Sequence, residues 1–158
     1  MTSPNWNALR GLTGKTLRDA VFSTLQSVAL DIQRSEHPES PEIVSAVPRL
    51  ADIIQHNDEL SDFRQILNSL ARAVGLWNYI DKETADPRDR VLSEAVWVPE
   101  LRITLHREQV AALNALLSGR NLILSAPTSF GKSALVDALL LTRKYRRVAI
   151  IFADSCPA

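Results

Sequence analysis

A single cysteine, Cys156, occurs in this chain of 158 residues. That excludes an internal disulfide and suits a reducing, cytoplasmic setting. With one thiol and three scattered histidines, His37, His56 and His106, no zinc-ligand spacing can be written, and the histidines read as surface residues. No apolar run approaches the roughly 20 residues that a membrane-spanning helix needs. The segment Met1-Thr2-Ser3-Pro4-Asn5-Trp6 lacks the basic and apolar regions of a signal peptide. Low-complexity tracts and internal repeats are missing, and no nucleophile–base–acid triad can be assembled. With 46% hydrophobic and 23% charged residues, what remains is the composition of a globular protein.

What is present first is helical periodicity. Leu17, Ala20, Val21, Leu25, Val28, Ala29 and Ile32 recur at 3–4 spacing and predict an amphipathic helix. Ser40-Pro41 reads as an N-cap followed by proline at the first helical position, opening a second helix through Ile43, Val44 and Val47. Pro48 is expected to break or kink it before Leu50, Ala51, Ile53 and Ile54. A third helix carries Leu60, Phe63, Ile66, Leu67, Leu70, Ala71 and Val74, with Gly75 as its stop. The bulky cluster Leu76–Ile80 follows. Asp86-Pro87 then repeats the cap-and-proline signature before Val91, Leu92 and Ala95.

Pro99 marks the expected boundary between two domains, 1–99 and 100–158. Beyond it the pattern becomes helix (about 106–118), strand (121–126), loop, helix (132–143) and strand (148–152). That alternation is the opening of an α/β unit with a parallel sheet. The expected fold class is therefore a helical N-terminal region followed by an incomplete α/β domain. Net charge over the whole chain is zero, but residues 1–99 carry −4 and residues 100–158 carry +4. By itself this difference argues little for nucleic acid.

The second half contains Ser125-Ala126-Pro127-Thr128-Ser129-Phe130-Gly131-Lys132-Ser133, between the apolar run Leu122-Ile123-Leu124 and a helix-like stretch. This is a phosphate-binding loop pattern with Ala126 in the place of the first glycine. A tight turn there can aim successive backbone N–H groups at phosphate oxygens, and the following helix adds its positive end. Lys132 is placed to reach the β/γ-phosphates, and the Ser133 hydroxyl to ligate Mg²⁺. A second Gly14-Lys15-Thr16 is refused, because Leu9 stands where the first glycine belongs and no strand precedes it. Upstream, Gln109 offers an amide donor and acceptor that suit the adenine N6/N7 edge. On chemistry alone it reads better as a solvent-facing helical glutamine. Trp6, Trp77 and Trp97 could stack on bases, but core packing is favoured. Arg143-Lys144-Tyr145-Arg146-Arg147 could touch a nucleic-acid backbone; closure of a helix C-terminus is the favoured reading.

Taken together, Gln109 and Ala126-Pro127-Thr128-Ser129-Phe130-Gly131-Lys132-Ser133 resemble the start of a superfamily 2 DExD/H-box helicase. The form of the loop is most similar to Ski2-like and related large bacterial helicases, some of which serve in phage defence. The resemblance covers about residues 101–152. It implies that Gln109 contacts adenine, that Ala126–Ser133 is motif I, that the cofactors are ATP and Mg²⁺, and that the domain is RecA-like. It also implies a nucleic-acid partner, DNA or RNA, for the parent protein. The N-terminal helices are similar to the accessory region such proteins carry, and they are a possible site for a protein partner.

The departures concern catalysis. Only 25 residues follow Ser133, and they show no acidic box, arginine finger or second RecA-like domain. Phosphoryl transfer depends on such groups for positioning and charge stabilisation. The expectation is an N-terminal portion of an ATP-dependent helicase that binds ATP–Mg²⁺ but alone neither hydrolyses ATP at a motor rate nor unwinds a duplex. Its two strands, without their neighbours, are expected to leave the C-terminal part poorly stable. Two alternatives stand beside this: a non-enzymatic helical partner-binding protein with a relic loop, and a fragment of another P-loop ATPase.

Overall fold

The apolar stripe that begins at Leu17 lies on α2, Gly14–Arg34, which buries Leu17, Val21, Leu25 and Val28. The structure, a computed structural model, describes residues 5–38, 40–126 and 130–149. A short α1, Trp6–Arg10, precedes α2, with the Asn5 side chain accepting from the Ala8 N–H at 3.1 Å. Gly14, Lys15 and Thr16 form the first turn of α2, so the refused second loop is a helix start.

Ser40 and Pro41 open α3, Pro41–Val44, as expected, although the Ser40 side chain makes no cap bond. The expected break at Pro48 is displaced. The interruption falls at Ser45, and Pro48 is the third residue of α4, Ala46–Gln55. In that first turn a backbone N–H has no intrahelical acceptor, so proline costs the helix no hydrogen bond. A 3₁₀ turn, Asp58–Phe63, leads into α5, Arg64–Val74.

The stop at Gly75 holds. Its φ of +82° lets its N–H reach the Arg72 carbonyl at 3.2 Å, while the Leu76 N–H reaches the Ala71 carbonyl at 2.9 Å. This pair is the double-bonded left-handed helix ending that favours glycine. Arg107 completes the end from outside the helix. Its N–H donates to the Gly75 carbonyl at 2.8 Å, and its Nη2 to the Ala73 carbonyl at 2.9 Å.

The helices enclose one apolar core in which Val21, Val28, Ala46, Val47, Leu50, Leu60 and Ala71 are fully buried. Burying a large apolar side chain is worth about 1.5–3 kcal/mol, so this cluster drives the fold of the helical unit. Asn68 of α5 is a polar residue buried with it. Asn68 is 1% exposed; its Oδ1 accepts from the Asp81 N–H at 2.8 Å, and its Nδ2 donates to the Asp81 carbonyl and Thr84 Oγ1, each at 3.3 Å.

Asp86 caps α6, Pro87–Ala95, by accepting from the Asp89 N–H at 2.8 Å. The helix forms as expected, but its most buried residues are polar. Val91 is 65% exposed, whereas Asp89 and Ser93 are each 1% exposed. Asp89 pairs with Arg72 of α5 at 2.5 Å, so the inward side of α6 carries a charged residue and a hydroxyl. After α6 comes a hairpin that the sequence reading does not contain. β1, Trp97–Val98, pairs antiparallel with β2, Ile103–Thr104, in the register Trp97↔Thr104 and Val98↔Ile103. Pro99 sits in its turn, and the chain divides into two compact units between Glu108 and Gln109.

The expected α/β domain is contradicted. Among the described residues the second unit contains α7, Arg107–Leu117, whose first two residues belong to the first unit, and α8, Lys132–Leu141. Residues 121–126 form no strand, and neither do 148 and 149; the rest of the expected second strand lies outside the described residues. The sheet of the described residues is the β1–β2 pair, so they hold no RecA-like parallel sheet. An apolar run becomes a buried parallel strand only when ladder partners flank it. Leu122-Ile123-Leu124 has none there, and Ile123 is 97% exposed.

Candidate functional site

The anchor of the site is Gln109, in the first turn of α7. It is 6% exposed, contrary to the solvent-facing reading. Its Nε2 donates to the Phe130 carbonyl at 3.0 Å and lies 3.4 Å from the Gly131 carbonyl. The structure thus brings together Gln109 and the end of the phosphate-loop sequence. Tyr145 makes a second tie within this unit, its hydroxyl donating to the Leu116 carbonyl near the end of α7 at 2.7 Å.

Gly131 is the N-cap of α8, with φ +76°. Two requirements meet there. The left-handed backbone favours glycine, and a Cβ would stand 2.7 Å from Gln109 Nε2. The first turn of α8 has no acidic residue and no side-chain cap bond. Unpaired N–H groups and the positive end of the helix dipole make such a terminus compatible with an anion.

Lys132 and Ser133 are exposed at the start of α8. Lys132 Nζ donates to the Ala126 carbonyl at 2.7 Å, tying the two ends of the loop sequence together. Pro127, Thr128 and Ser129 lie outside the described residues. The sequence pattern gives no signal for the Ala126 carbonyl as the partner of Lys132, nor for Arg107 as the cap of α5. Both depend on contacts made by the folded backbone.

The other candidates separate. His37 and His56 are exposed and His106 is half-buried. Among the described residues no group of His, Cys, Asp or Glu converges on a metal position; Cys156 and Asp154 lie outside them. Trp6 and Trp77 pack against the core. Trp97 is 37% exposed with Lys82 Nζ 4.5 Å from its ring centre. Arg143–Arg147 follows the end of α8 and is exposed throughout. Among the described residues no helix is long and apolar enough to cross a membrane.

No protein-family model matches the chain, and no solved structure matches it. The chain is similar to anti-bacteriophage protein B of Escherichia coli strain K12, with 34% identity over 101 residues. That match covers 62% of this chain and 14% of the relative, so the chain spans about one seventh of that protein's length.

Proposed function

We propose that this chain is the nucleotide-binding N-terminal portion of a larger ATP-dependent nucleic-acid helicase, and that it contacts ATP–Mg²⁺ through Ala126–Ser133. The observation that carries the reading is the start of α8. A left-handed Gly131 opens an uncapped helix end, with Lys132 reaching back over the loop sequence and Gln109 holding the turn. These residues fit a triphosphate. The N–H groups of the first turn and the Lys132 ammonium would hold phosphate oxygens, and the Ser133 hydroxyl would face Mg²⁺. Bound Mg²⁺ neutralises charge on the β- and γ-phosphates.

The similarity to an anti-bacteriophage protein supports a role in phage defence, and the short share of that relative supports a longer functional protein. Nucleic acid is the proposed partner of that longer protein, with weak or no binding by this chain alone. Hydrolysis also belongs to the longer protein, because no acidic box or arginine finger can be found in this sequence after Ser133. A second reading, a partner-binding helical module, draws on the exposed apolar side chains Phe22 and Ile66 of the first unit.

Equilibrium titration of the pure 158-residue protein with a fluorescent ATP analogue and Mg²⁺ tests the proposal. Binding is expected, with Lys132→Ala weakening it roughly 10- to 100-fold, the worth of a lost charged hydrogen bond. Binding that is indifferent to Lys132→Ala would sink the reading. Lys132-dependent ATPase activity from the pure chain would refute the claim that it is not competent for hydrolysis.

A further inference from the structure

The Gln109 amide is spent on the loop. Its nitrogen carries two protons, and that nitrogen faces the Phe130 carbonyl at 3.0 Å and the Gly131 carbonyl at 3.4 Å. A bidentate contact to an adenine edge needs the same nitrogen as a donor. From this geometry we infer that Gln109 is a positioning residue for the phosphate loop and does not choose the base. The inference rests on the nucleotide-binding reading above.

The physical reason lies in the peptide plane. In a trans peptide the C=O and the following N–H point in opposite directions. Drawing the Phe130 carbonyl toward Gln109 turns the Gly131 N–H away from it. The Gly131 carbonyl, which also accepts from the Leu135 N–H at 3.2 Å, turns the Lys132 N–H the same way. Gln109 therefore orients two backbone donors of the loop. Its loss weakens every nucleoside triphosphate alike, because phosphates are common to all of them. The space at Gly131 agrees, since a side chain there would displace the Gln109 amide.

The test uses the full chain with fluorescent ATP and GTP analogues, each with Mg²⁺. Gln109→Ala is expected to weaken both by a similar factor of about tenfold, leaving the ATP-to-GTP ratio unchanged. Gln109→Glu keeps the shape but has no donor when ionised. Its affinity, relative to wild type at each pH, is expected to recover as acidification protonates the carboxyl and restores a donor. Loss of that volume or helix position alone would not produce such a recovery. Without nucleotide, hydrogen exchange at the Leu135 amide, which donates to the Gly131 carbonyl that Gln109 holds, is expected to quicken in Gln109→Glu at neutral pH. A selective loss of ATP with GTP binding retained would overturn the inference while leaving the nucleotide reading intact. Unchanged exchange at Leu135 would overturn the positioning role. Failure of the wild type to bind either analogue would remove the nucleotide reading and the inference with it.

Discussion

Replacing Gly75 by alanine separates two costs at the end of α5. Gly75 has φ +82°, a backbone region that costs an L-residue about 1–2 kcal/mol. An added Cβ would also lie 2.7 Å from Arg107 Cβ and 2.7 Å from Arg107 Nε. The Nε can swing aside. The Cβ cannot, because the Arg107 backbone is held by its own N–H bond to the Gly75 carbonyl at 2.8 Å. Relieving the overlap means shifting the first residue of α7, and overpacking of this kind costs about 1–3 kcal/mol. Gly75→Ala is therefore expected to destabilise the helical unit by roughly 2–5 kcal/mol. Urea unfolding followed by far-ultraviolet circular dichroism reads this as a lower midpoint at unchanged slope. Gly75→Asn tolerates the left-handed backbone but carries the same Cβ, so it should retain about 1–3 kcal/mol of the loss. In an Arg107→Gly background the overlap disappears, and Gly75→Ala should cost only the backbone part. A Gly75→Ala midpoint equal to that of wild type would refute both the strain and the close approach.

Two further tests address polar contacts in the same unit. Asn68→Ala leaves the Asp81 N–H without its 2.8 Å acceptor in a site that is 1% exposed. A loss of about 1–3 kcal/mol is expected from the stranded donor alone, and a calorimetric melt unchanged from wild type would contradict it. On the surface, the Arg18 side chain bonds to Asp62, with Nη1 to Oδ1 at 3.0 Å, and holds that carboxyl below its ordinary range; the same bond pushes Arg18 upward. A lowered carboxyl contributes stability that is present above its unfolded value, about 3.9, and lost as pH falls through the lower folded value. The difference in urea midpoint between wild type and Asp62→Asn should therefore shrink as the solution is acidified through that range, and shrink again with added salt. A difference that stays constant from neutral pH to pH ~2 would contradict the assignment.

The local signals in the sequence carry over to the structure where one stretch of chain decides the outcome. The α2 stripe, the Gly75 ending and the Asp86 cap are of this kind. Pro48 does not break α4, because proline breaks a helix only where an N–H is needed, and the first turn does not need one. The β1–β2 hairpin was hidden because its strands are two residues long, too short for alternation to register. On α6, the sequence shows a cap and a helix but not that Asp89, beside Arg72, and Ser93 are its buried residues. The apolar runs after Gly119 suggested strands, yet strand formation is a property of the ladder and not of one segment. At the site, residue types and spacing were legible, while the target of the Gln109 amide was not. Two backbone carbonyls compete with any ligand for that donor, and no sequence pattern records their positions.

The bond between the Arg107 N–H and the Gly75 carbonyl has one more consequence. It closes the segment 76–106 back onto the end of α5, and that segment is also held along its length, with Ile80 and Ala85 in the core and Asp81 bonded to Asn68. Closing a loop costs free energy that grows only with the logarithm of its length. Insertions at exposed positions of this excursion, such as the Pro99–Arg102 turn, should therefore be accommodated without moving the origin of α7. The start of α7 at Arg107 is thus fixed by the Gly75 bond, and length variation at the exposed turn need not displace that residue.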